Sequence, residues 1–284
     1  MSSMEIKPLD ATLGATVSNV DLSDLGESEW RAIEAAFLKH AVLVFPDQHI
    51  SREAQVAFAS RFGDIEELVA GAKLVLLSNR LEDGSLVDEG EHLEQILRGV
   101  EVWHTDSSYM PLASKGAVLS AEVVPLEGGQ TEWADMRDAY DCLDDATKGK
   151  IADLSAYHSL FYSQAQIGHQ VEAGAGYGFD VQHEPLRPLV KIHPDTGRRS
   201  LFIGRHAHDI PGMAPEESKK LLNDLLAFAC QPPRTYQHQW HPGDVIVWDN
   251  RCLMHRARPY DHRHTARVMR HARIAGDPAS ELAG

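Results

Sequence analysis

The sequence predicts a mainly β protein with flanking α-helices, and its pattern favours a jelly roll. Beyond residue 65 the chain is a series of short Val-, Ile- and Leu-rich runs bounded by turn residues, which is typical of this fold class. With 284 residues, of which 43% are hydrophobic, the chain is long enough for one large domain with a substantial core. We therefore expect a single domain over residues 1–284, without an internal repeat or linker.

The first part of the chain mixes strands and helices. We predict strands with a Gly turn in IKPLDATLGATVSNVDL, because it alternates and is rich in Thr and Val. A helix is predicted in ESEWRAIEAAFLKH, where Trp30, Ile33 and Phe37 recur at helical spacing, and a strand follows in AVLVFP. Ser51 is the expected N-cap of a second helix, REAQVAFASRF, and Gly63 is expected to stop it.

The remaining elements are mostly strands. Seven runs carry this prediction: KLVLLS, GAVLSAEVVP, LRPLVKIHP, SLFIG, PRTYQHQW, DVIVWDN and RVMRHARIA. Two helices interrupt them. One lies in DMRDAYDCL and the residues after Asp144, and the other in APEESKKLLNDLLAFAC, where Pro215 suits the first turn.

Two segments show neither the strand nor the helix period. Residues 80–100 are acidic, and residues 163–184 are rich in Gly, Gln and His. Long irregular segments inside a compact domain are commonly binding loops or lids. We expect both segments to be lid loops.

Charge and composition exclude several classes of partner. The formal net charge is -15 and the pI is near 5.4, so the surface repels phosphate backbones and anionic lipid. We expect neither nucleic acid nor membrane partners. The three cysteines are odd in number and show no C-x-x-C, and no signal peptide or long apolar run is present, which predicts a cytoplasmic protein with free thiols.

Two segments offer a metal site. In WHTDSSY, His104 and Asp106 are two residues apart on an extended stretch, so their side chains point the same way. His255 lies on a short return strand after the buried run VIVW. Two histidines and one carboxylate leave three octahedral positions open, which is typical of non-haem Fe(II) oxygenases. Other triplets, at His92 and His193, show that spacing alone leaves alternatives open.

The run TARVMRHARIAGD indicates a site for an anion. Its alternation places Arg267, Met269, His271 and Arg273 on one side of a strand. An Arg fork binds a carboxylate such as that of a 2-oxo acid with two hydrogen bonds. An edge strand whose arginines are solvated is the alternative.

Four motifs resemble one enzyme family along nearly the whole chain. WHTDSSYMP, AEVVPLEGGQTEWADMRDAYDCL, GDVIVWDNRCLMHRARPYD and ARVMRHARIAGD look like the taurine dioxygenase / 2,4-dichlorophenoxyacetate dioxygenase family of Fe(II)- and 2-oxoglutarate-dependent oxygenases. Within that family, RPLVKIHPDTGRRSLFIGRHAHDIPGM is most similar to the (S)-dichlorprop (aryloxyalkanoate) branch. The resemblance implies a double-stranded β-helix, that is, a cupin-like jelly roll with flanking helices.

The resemblance also implies roles for individual residues. It implies Fe(II), held by His104, Asp106 and His255 at the catalytic centre, with 2-oxoglutarate and molecular oxygen as co-substrates. Thr131 and Arg267 match the residues that bind the distal carboxylate of 2-oxoglutarate. Trp248 is expected near the same pocket, although a core aromatic is an equal alternative. Relatives are commonly dimers or tetramers, so a homo-oligomer is implied by analogy.

One position departs from the family pattern. Several members carry a second Arg, four residues beyond the co-substrate Arg, that holds the anionic group of the substrate. Here that position is His271, which the (S)-dichlorprop-like branch shares. We expect His271, Arg273 or Arg205 to bind the substrate anion.

The function implied is hydroxylation of a small anionic organic substrate. For an aryloxyalkanoate, hydroxylation cleaves the ether to a phenol and a 2-oxo acid. The same chemistry on a sulfonate, a sulfate ester or a biosynthetic carboxylic acid is an alternative. A second alternative lies outside the oxygenases: a metal-binding cupin-type binder or a zinc hydrolase.

Overall fold

The structure is a computed structural model that describes residues 3–88, 91–172, 174, 177–179 and 183–281. In these residues it contains sixteen strands and eight helices. None of the helices found there is long and apolar enough to cross a bilayer.

The strands carry most of the chain's regular structure. In chain order they are β1 (Glu5–Pro8), β2 (Ala15–Ser18), β3 (Val42–Phe45), β4 (Ile65–Glu66), β5 (Val75–Ser78), β6 (Gly116–Val123), β7 (Thr131–Asp135), β8 (Ser155–His158), β9 (Leu186–Pro188), β10 (Val190–Ile192), β11 (Arg199–Leu201), β12 (Ala207–His208), β13 (Thr235–His238), β14 (Val245–Asp249), β15 (Leu253–Ala257) and β16 (Val268–Ile274).

The helices lie between these strands. They are α1 (Glu27–His40), α2 (Arg52–Ser60), α3 (His92–Gly99), α4 (Met136–Asp141), α5 (Asp145–Ile151), α6 (Leu160–Ala165), α7 (Pro215–Ala229) and α8 (Pro278–Glu281).

Two sheets face each other and form the jelly roll that the sequence predicts. The larger sheet has eight strands in the order β1-β2-β3-β14-β6-β16-β4, with β5 also paired to β16. The smaller sheet has the order β13-β7-β15. Trp133 of β7 packs against Trp248 of β14 with ring centroids 5.9 Å apart, so an aromatic pair joins the two sheets within a mostly aliphatic core.

Helices cover the outer faces of this sandwich. Phe37 of α1 and Phe58 of α2 pack in one buried cluster with Val118 and Val247 of the larger sheet. A second cluster joins Leu222 of α7 to Ala134 of the smaller sheet and to α4. The flanking helices of the predicted fold therefore form the outer layers.

Most predicted elements are confirmed. The hydroxyl of Ser51 caps α2 by accepting a hydrogen bond from the amide of Ala54 at 3.1 Å, and Pro215 is the first residue of α7. The HPDTG turn joins β10 and β11, which pair antiparallel as a hairpin.

The prediction of an irregular loop over 80–100 is wrong in part, because α3 occupies His92–Gly99. Ile96 and Leu97 turn inward there, and Glu94 is buried beside them at 4% exposure. Because the charged Glu94 lies on the buried face of α3, it obscures the helical period of the apolar residues in the sequence.

Strand β7 was not predicted. Its Glu132 interrupts the apolar pattern, but this carboxylate pairs with Arg256 of β15 across the sheet, with Nε and Oε2 2.6 Å apart.

Candidate active site

The structure brings together the three predicted metal ligands. His104 Nε2 lies 3.9 Å from Asp106 Oδ1, and His255 Nε2 lies 3.7 Å from Asp106 Oδ2. The two imidazole centroids are 4.2 Å apart. The potential donor atoms of all three residues lie within 4.8 Å of one another, close enough to bind one ion.

Main-chain hydrogen bonds set this spacing. The amide of His104 donates to the carbonyl of His255 at 3.0 Å, and the amide of His255 donates back at 2.8 Å. His104 Nδ1 lies 2.8 Å from the carbonyl of Val102, which leaves Nε2 to face Asp106. The segment before Asp106 is thus an extension of the smaller sheet beside β15.

Burial fixes the charge states that a metal ion requires. Burial and the neighbouring His255 lower the pKa of His104 to about 3, and burial lowers the pKa of His255 to about 4. Burial alone would raise the pKa of Asp106, but Arg273 and the nearby imidazoles hold it well below its usual range. At neutral pH the group is two neutral imidazoles and one carboxylate, which is a ligand set for a divalent ion.

A cavity of about 360 Å³ opens above these three residues. Aliphatic and aromatic side chains form much of its wall, among them Leu68, Val75, Ile96, Leu160 and Phe179. The predicted residues Thr131, Trp248, Arg267, His271, Arg273 and Arg205 all line it as well. Every residue predicted to take part in the site therefore faces one space.

Arg267 is a buried cation without a carboxylate partner among the described residues. Its side chain donates from Nε to the carbonyl of Gly129 at 3.1 Å, and the residue is 7% exposed. Burial lowers the pKa of Arg267 to about 10, so it stays charged at neutral pH. A buried charge left in this state favours an anionic ligand.

Thr131 and Trp248 are held at the same cavity. Thr131 Oγ1 accepts a hydrogen bond from the indole of Trp240 at 2.9 Å, which leaves its own proton free to donate. Trp248 donates from Nε1 to Asn250 Oδ1 at 2.9 Å, and its ring lies 4.8 Å from that of His255. Trp248 is both a core aromatic and a wall of the cavity.

The three candidates for the substrate anion differ in their surroundings. Burial and Arg273 lower the pKa of His271 to about 4, so this imidazole is neutral. Arg273 is already paired, because its Nη2 donates to Asp106 Oδ1 at 2.9 Å. Arg205 donates to the carbonyl of Ser163 at 2.8 Å and to Gln164 Oε1 at 2.6 Å.

Within the described residues Arg205 has no carboxylate neighbour, and its buried Nε has no partner. Burial lowers the pKa of Arg205 to about 10, so it also stays charged at neutral pH.

Sequence reasoning missed two residues that line the cavity and one that contacts Asp106. The rings of Tyr109 and His206 lie 4.8 Å apart on its wall. Asn250 donates to Asp106 Oδ2 at 3.3 Å and to Ser114 Oγ at 2.8 Å. Tyr109 lies within the WHTDSSY motif and His206 follows Arg205, so adjacency to predicted residues was the available signal.

The two predicted lid segments both reach the cavity. Residues 80–100 contribute Ile96, and residues 163–184 contribute Tyr177 and Phe179. Parts of both predictions lie outside the described residues. Their role as lids remains a prediction.

A second buried group has similar donors. His193, Asp249 and Cys252 also lie within 4.8 Å of one another. Both oxygens of Asp249 are bound by Arg251, from Nε at 2.8 Å and from Nη2 at 2.7 Å, and His193 Nε2 lies 3.0 Å from Oδ2. This carboxylate is saturated by protein donors.

Comparisons with known proteins agree on one family. The family model described as the taurine catabolism dioxygenase TauD, TfdA family matches residues 5–272. An (S)-phenoxypropionate/alpha-ketoglutarate-dioxygenase of Sphingobium herbicidovorans is 55% identical, over 98% of this chain and 97% of its own. A protein of the same name from Delftia acidovorans is 51% identical, over 99% of this chain and 98% of its own.

Solved structures give the same result. The crystal structure of AAD-2 in complex with Mn(II) and N-oxalylglycine matches with a TM-score of 0.89 at 40% identity, covering 97% of this chain and 98% of its own. A taurine dioxygenase from Burkholderia xenovorans matches with a TM-score of 0.78 at 28% identity, covering 97% of this chain and 92% of its own.

Proposed function

The chain belongs to the TauD/TfdA dioxygenase family and is a 2-oxoglutarate-dependent dioxygenase, and from that premise we propose that it hydroxylates an aryloxyalkanoate. Hydroxylation at the carbon that bears the ether oxygen gives a hemiketal or hemiacetal, whose collapse releases a phenol and a 2-oxo acid. One observation carries the proposal. A single cavity joins the His104, Asp106 and His255 group to two arginines, the buried Arg267 and the partly buried Arg205, that lack carboxylate partners among the described residues.

We propose that His104, Asp106 and His255 hold the iron of this enzyme. The residues fit a ferrous ion because their donors are two neutral imidazoles and an ionised carboxylate that converge inside a buried cavity. When bound, iron and 2-oxoglutarate supply an oxidant, made from molecular oxygen, that inserts an oxygen atom into a substrate C–H bond. The chain's own task is to place that C–H bond and to exclude bulk water.

Arg267 and Thr131 are proposed to bind the distal carboxylate of 2-oxoglutarate. The terminal nitrogens of Arg267 have no acceptor among the described residues, and the hydroxyl of Thr131 has a proton to donate. Arg267→Ala is expected to raise the 2-oxoglutarate KM at least about tenfold, because a charge-assisted pair is lost. Mn(II) binding should stay nearly unchanged, and an unchanged KM would remove Arg267 from this role.

Arg205 is proposed as the anchor for the carboxylate of the substrate, with His271 as a neutral neighbour. Arg205 donates only to neutral oxygens, those of Gly99, Ser163 and Gln164, so no carboxylate of the described residues balances its charge. Aliphatic and aromatic walls suit the aryl ring. The names of the two relatives above 50% identity favour an (S)-2-aryloxypropionate.

We further propose that residues 1–284 form one dioxygenase domain and that the protein is a cytoplasmic homo-oligomer (dimer or tetramer). We propose neither nucleic acid nor membrane partners. Support for these proposals is the acidic composition of the chain and the resemblance to oligomeric relatives.

Two measurements test the function. Anaerobic protein with Fe(II) and 2-oxoglutarate should develop a weak visible charge-transfer band, which a zinc hydrolase or a cupin-type binder would lack. A panel of (S)- and (R)-2-aryloxypropionates, aryloxyacetates, sulfonates and sulfate esters is then read by succinate formation. We expect the fastest turnover with an (S)-aryloxypropionate, accompanied by a phenol. Faster turnover of a sulfonate or sulfate ester would overturn the assigned substrate.

A further inference from the structure

Arg273 pairs with the carboxylate of Asp106, and both side chains are largely buried. Arg273 Nη2 donates to Asp106 Oδ1 at 2.9 Å, and the two side chains are only 11% and 6% exposed. Arg273 Nη1 donates to Ser107 Oγ at 3.1 Å. The guanidinium therefore spans two successive residues of the motif and fixes the orientation of the carboxylate relative to its own main chain.

Ser107 is the centre of a second set of contacts. Its backbone has φ 54, a left-handed conformation that a non-glycine residue seldom adopts. The hydroxyl lies 3.1 and 3.0 Å from the two carboxylate oxygens of Glu66 and 2.8 Å from the hydroxyl of Tyr177. Glu66 of β4 is the cross-strand partner of Arg273 in β16. The unusual backbone conformation of Ser107 thus directs its hydroxyl toward Glu66, which lies opposite Arg273.

Tyr177 brings the distant segment 177–179 into this network. Its hydroxyl donates to Glu66, and its ring centroid lies 5.7 Å from the guanidinium carbon of Arg273. Gly178 has φ +83, and a Cβ there would lie 2.5 Å from the ring of Tyr109, so the segment is packed tightly against the cavity wall. Phe179, the next residue, is 4% exposed.

We propose that Arg273 and Tyr177 are positioning residues for Asp106. The hydrogen bonds of Ser107 and Glu66 connect Tyr177 to Arg273. The inference rests on the proposed iron ligands. A ligating carboxylate needs a fixed orientation, and the hydrogen bonds around it supply that orientation. Docking of residues 177–179 against the cavity is thereby coupled to the geometry of the metal ligand, and Arg273 is not the anchor of the substrate.

The test compares two variants with matched controls. Arg273→Lys keeps the charge but removes the fork, and Arg270→Lys is its control, because Arg270 pairs with Glu122 on the opposite face of the same strand. Tyr177→Phe removes the hydroxyl, and Tyr236→Phe is its control, because that hydroxyl contacts His238 outside the cavity. The Mn(II) dissociation constant is measured by titration calorimetry, and the ratio of succinate to phenol by chromatography.

Arg273→Lys should weaken Mn(II) binding at least about tenfold. Tyr177→Phe should weaken it by about fivefold, because the contacts of its hydroxyl with Glu66 and Ser107 are lost. Both should form more succinate than phenol, since a misdirected ligand uncouples the two halves of the reaction, while both controls should match the wild type.

A Mn(II) dissociation constant in Arg273→Lys equal to that of Arg270→Lys, with a raised substrate KM, would show that Arg273 binds the substrate and would overturn the inference. The same holds if Tyr177→Phe matches Tyr236→Phe in both readouts. Wild-type protein that binds no Mn(II) would instead overturn the proposed function itself. Circular dichroism of each variant establishes that the compared proteins are folded.

Discussion

Two buried groups of metal-type donors lie side by side at the end of β14, and they differ in what their carboxylates contact. Asp249 turns toward His193 and Cys252, whereas the next residue, Asn250, turns toward Asp106. Each group brings its donors within 4.8 Å of one another. Donor type and proximity alone therefore do not distinguish them.

The surrounding atoms do. The guanidinium of Arg251 binds both oxygens of Asp249, and Asp195 extends the pair toward the surface, with Nη1 and Oδ2 2.7 Å apart. The carboxylate of Asp106 accepts one hydrogen bond from Arg273 at 2.9 Å and a longer one from Asn250 at 3.3 Å. It also faces two imidazole nitrogens at the wall of an open cavity. A metal site is therefore recognised by ligand atoms that still face a cavity. A structural cluster is recognised by ligand atoms whose hydrogen bonds are all made within the protein.

The largest expected effect separates the two groups by activity. His104→Ala should abolish substrate-dependent succinate formation and weaken Mn(II) binding, because one of the three proposed ligands is lost. His193→Ala is the matched variant, and it should retain succinate formation in the folded fraction. The measurements are succinate release and Mn(II) titration at equal protein concentration. Persistent turnover in His104→Ala would mean that the proposed triad is wrong.

The next effect separates them by stability. Asp249→Ala leaves the buried charge of Arg251 with only its outer partner, and we expect the free energy of unfolding to fall by about 3 kcal/mol or more. Asp195→Ala, whose side chain is 46% exposed, should cost at most about 1 kcal/mol. Urea denaturation measures both. Loss of Mn(II) binding in Asp249→Ala without a loss of stability would give the second group a metal role.

The smallest effect concerns a buried imidazole that belongs to neither group. His158 stacks on Phe202 with centroids 5.4 Å apart, its ring nitrogens have no hydrogen-bond partner among the described residues, and burial lowers its pKa to about 3. The unfolded chain, with a histidine pKa of about 6.5, binds more protons below that pH, so this contribution to stability is present above pH 6.5 and is lost as the pH falls toward 3.

His158→Phe should therefore flatten the acid dependence of the free energy of unfolding by up to about 1.4 kcal/mol per pH unit between pH 6 and pH 4. Urea denaturation at several pH values in that window measures the slope. An equal slope in wild type and His158→Phe would contradict the prediction.

The fold was largely predictable because its signals are local. Short apolar runs marked β6 and β14, alternation marked β16, and Ser51 and Pro215 marked the starts of two helices. Two of the elements that were missed, β7 and α3, have acids within their pattern. Glu132 of β7 and Glu94 of α3 are satisfied by arginines, Arg256 across the sheet and Arg98 one helical turn on, and the chain order gives no sign of the first partnership.

The site was predictable in its members more than in their partnerships. Spacing pointed to His104 and Asp106, and the strand after the buried run VIVW pointed to His255, but other histidines remained alternatives until the family resemblance was considered. Alternation placed Arg267 and Arg273 on one face of β16, and both do line the cavity. That Arg273 is bound to Asp106 while Arg267 has no carboxylate partner among the described residues depends on residues far away in the chain, which alternation does not describe.

The reciprocal amide–carbonyl bonds between His104 and His255 have a consequence for how the enzyme is loaded. The distance between the two rings is set by the main chain, so we expect metal-free protein to retain a preorganised frame that takes up an ion without local folding. Such a frame accepts several first-row divalent ions, whose intrinsic affinities rank ferrous iron below cobalt, nickel and copper. We therefore expect the ion bound in a cell to depend on the supply of each metal.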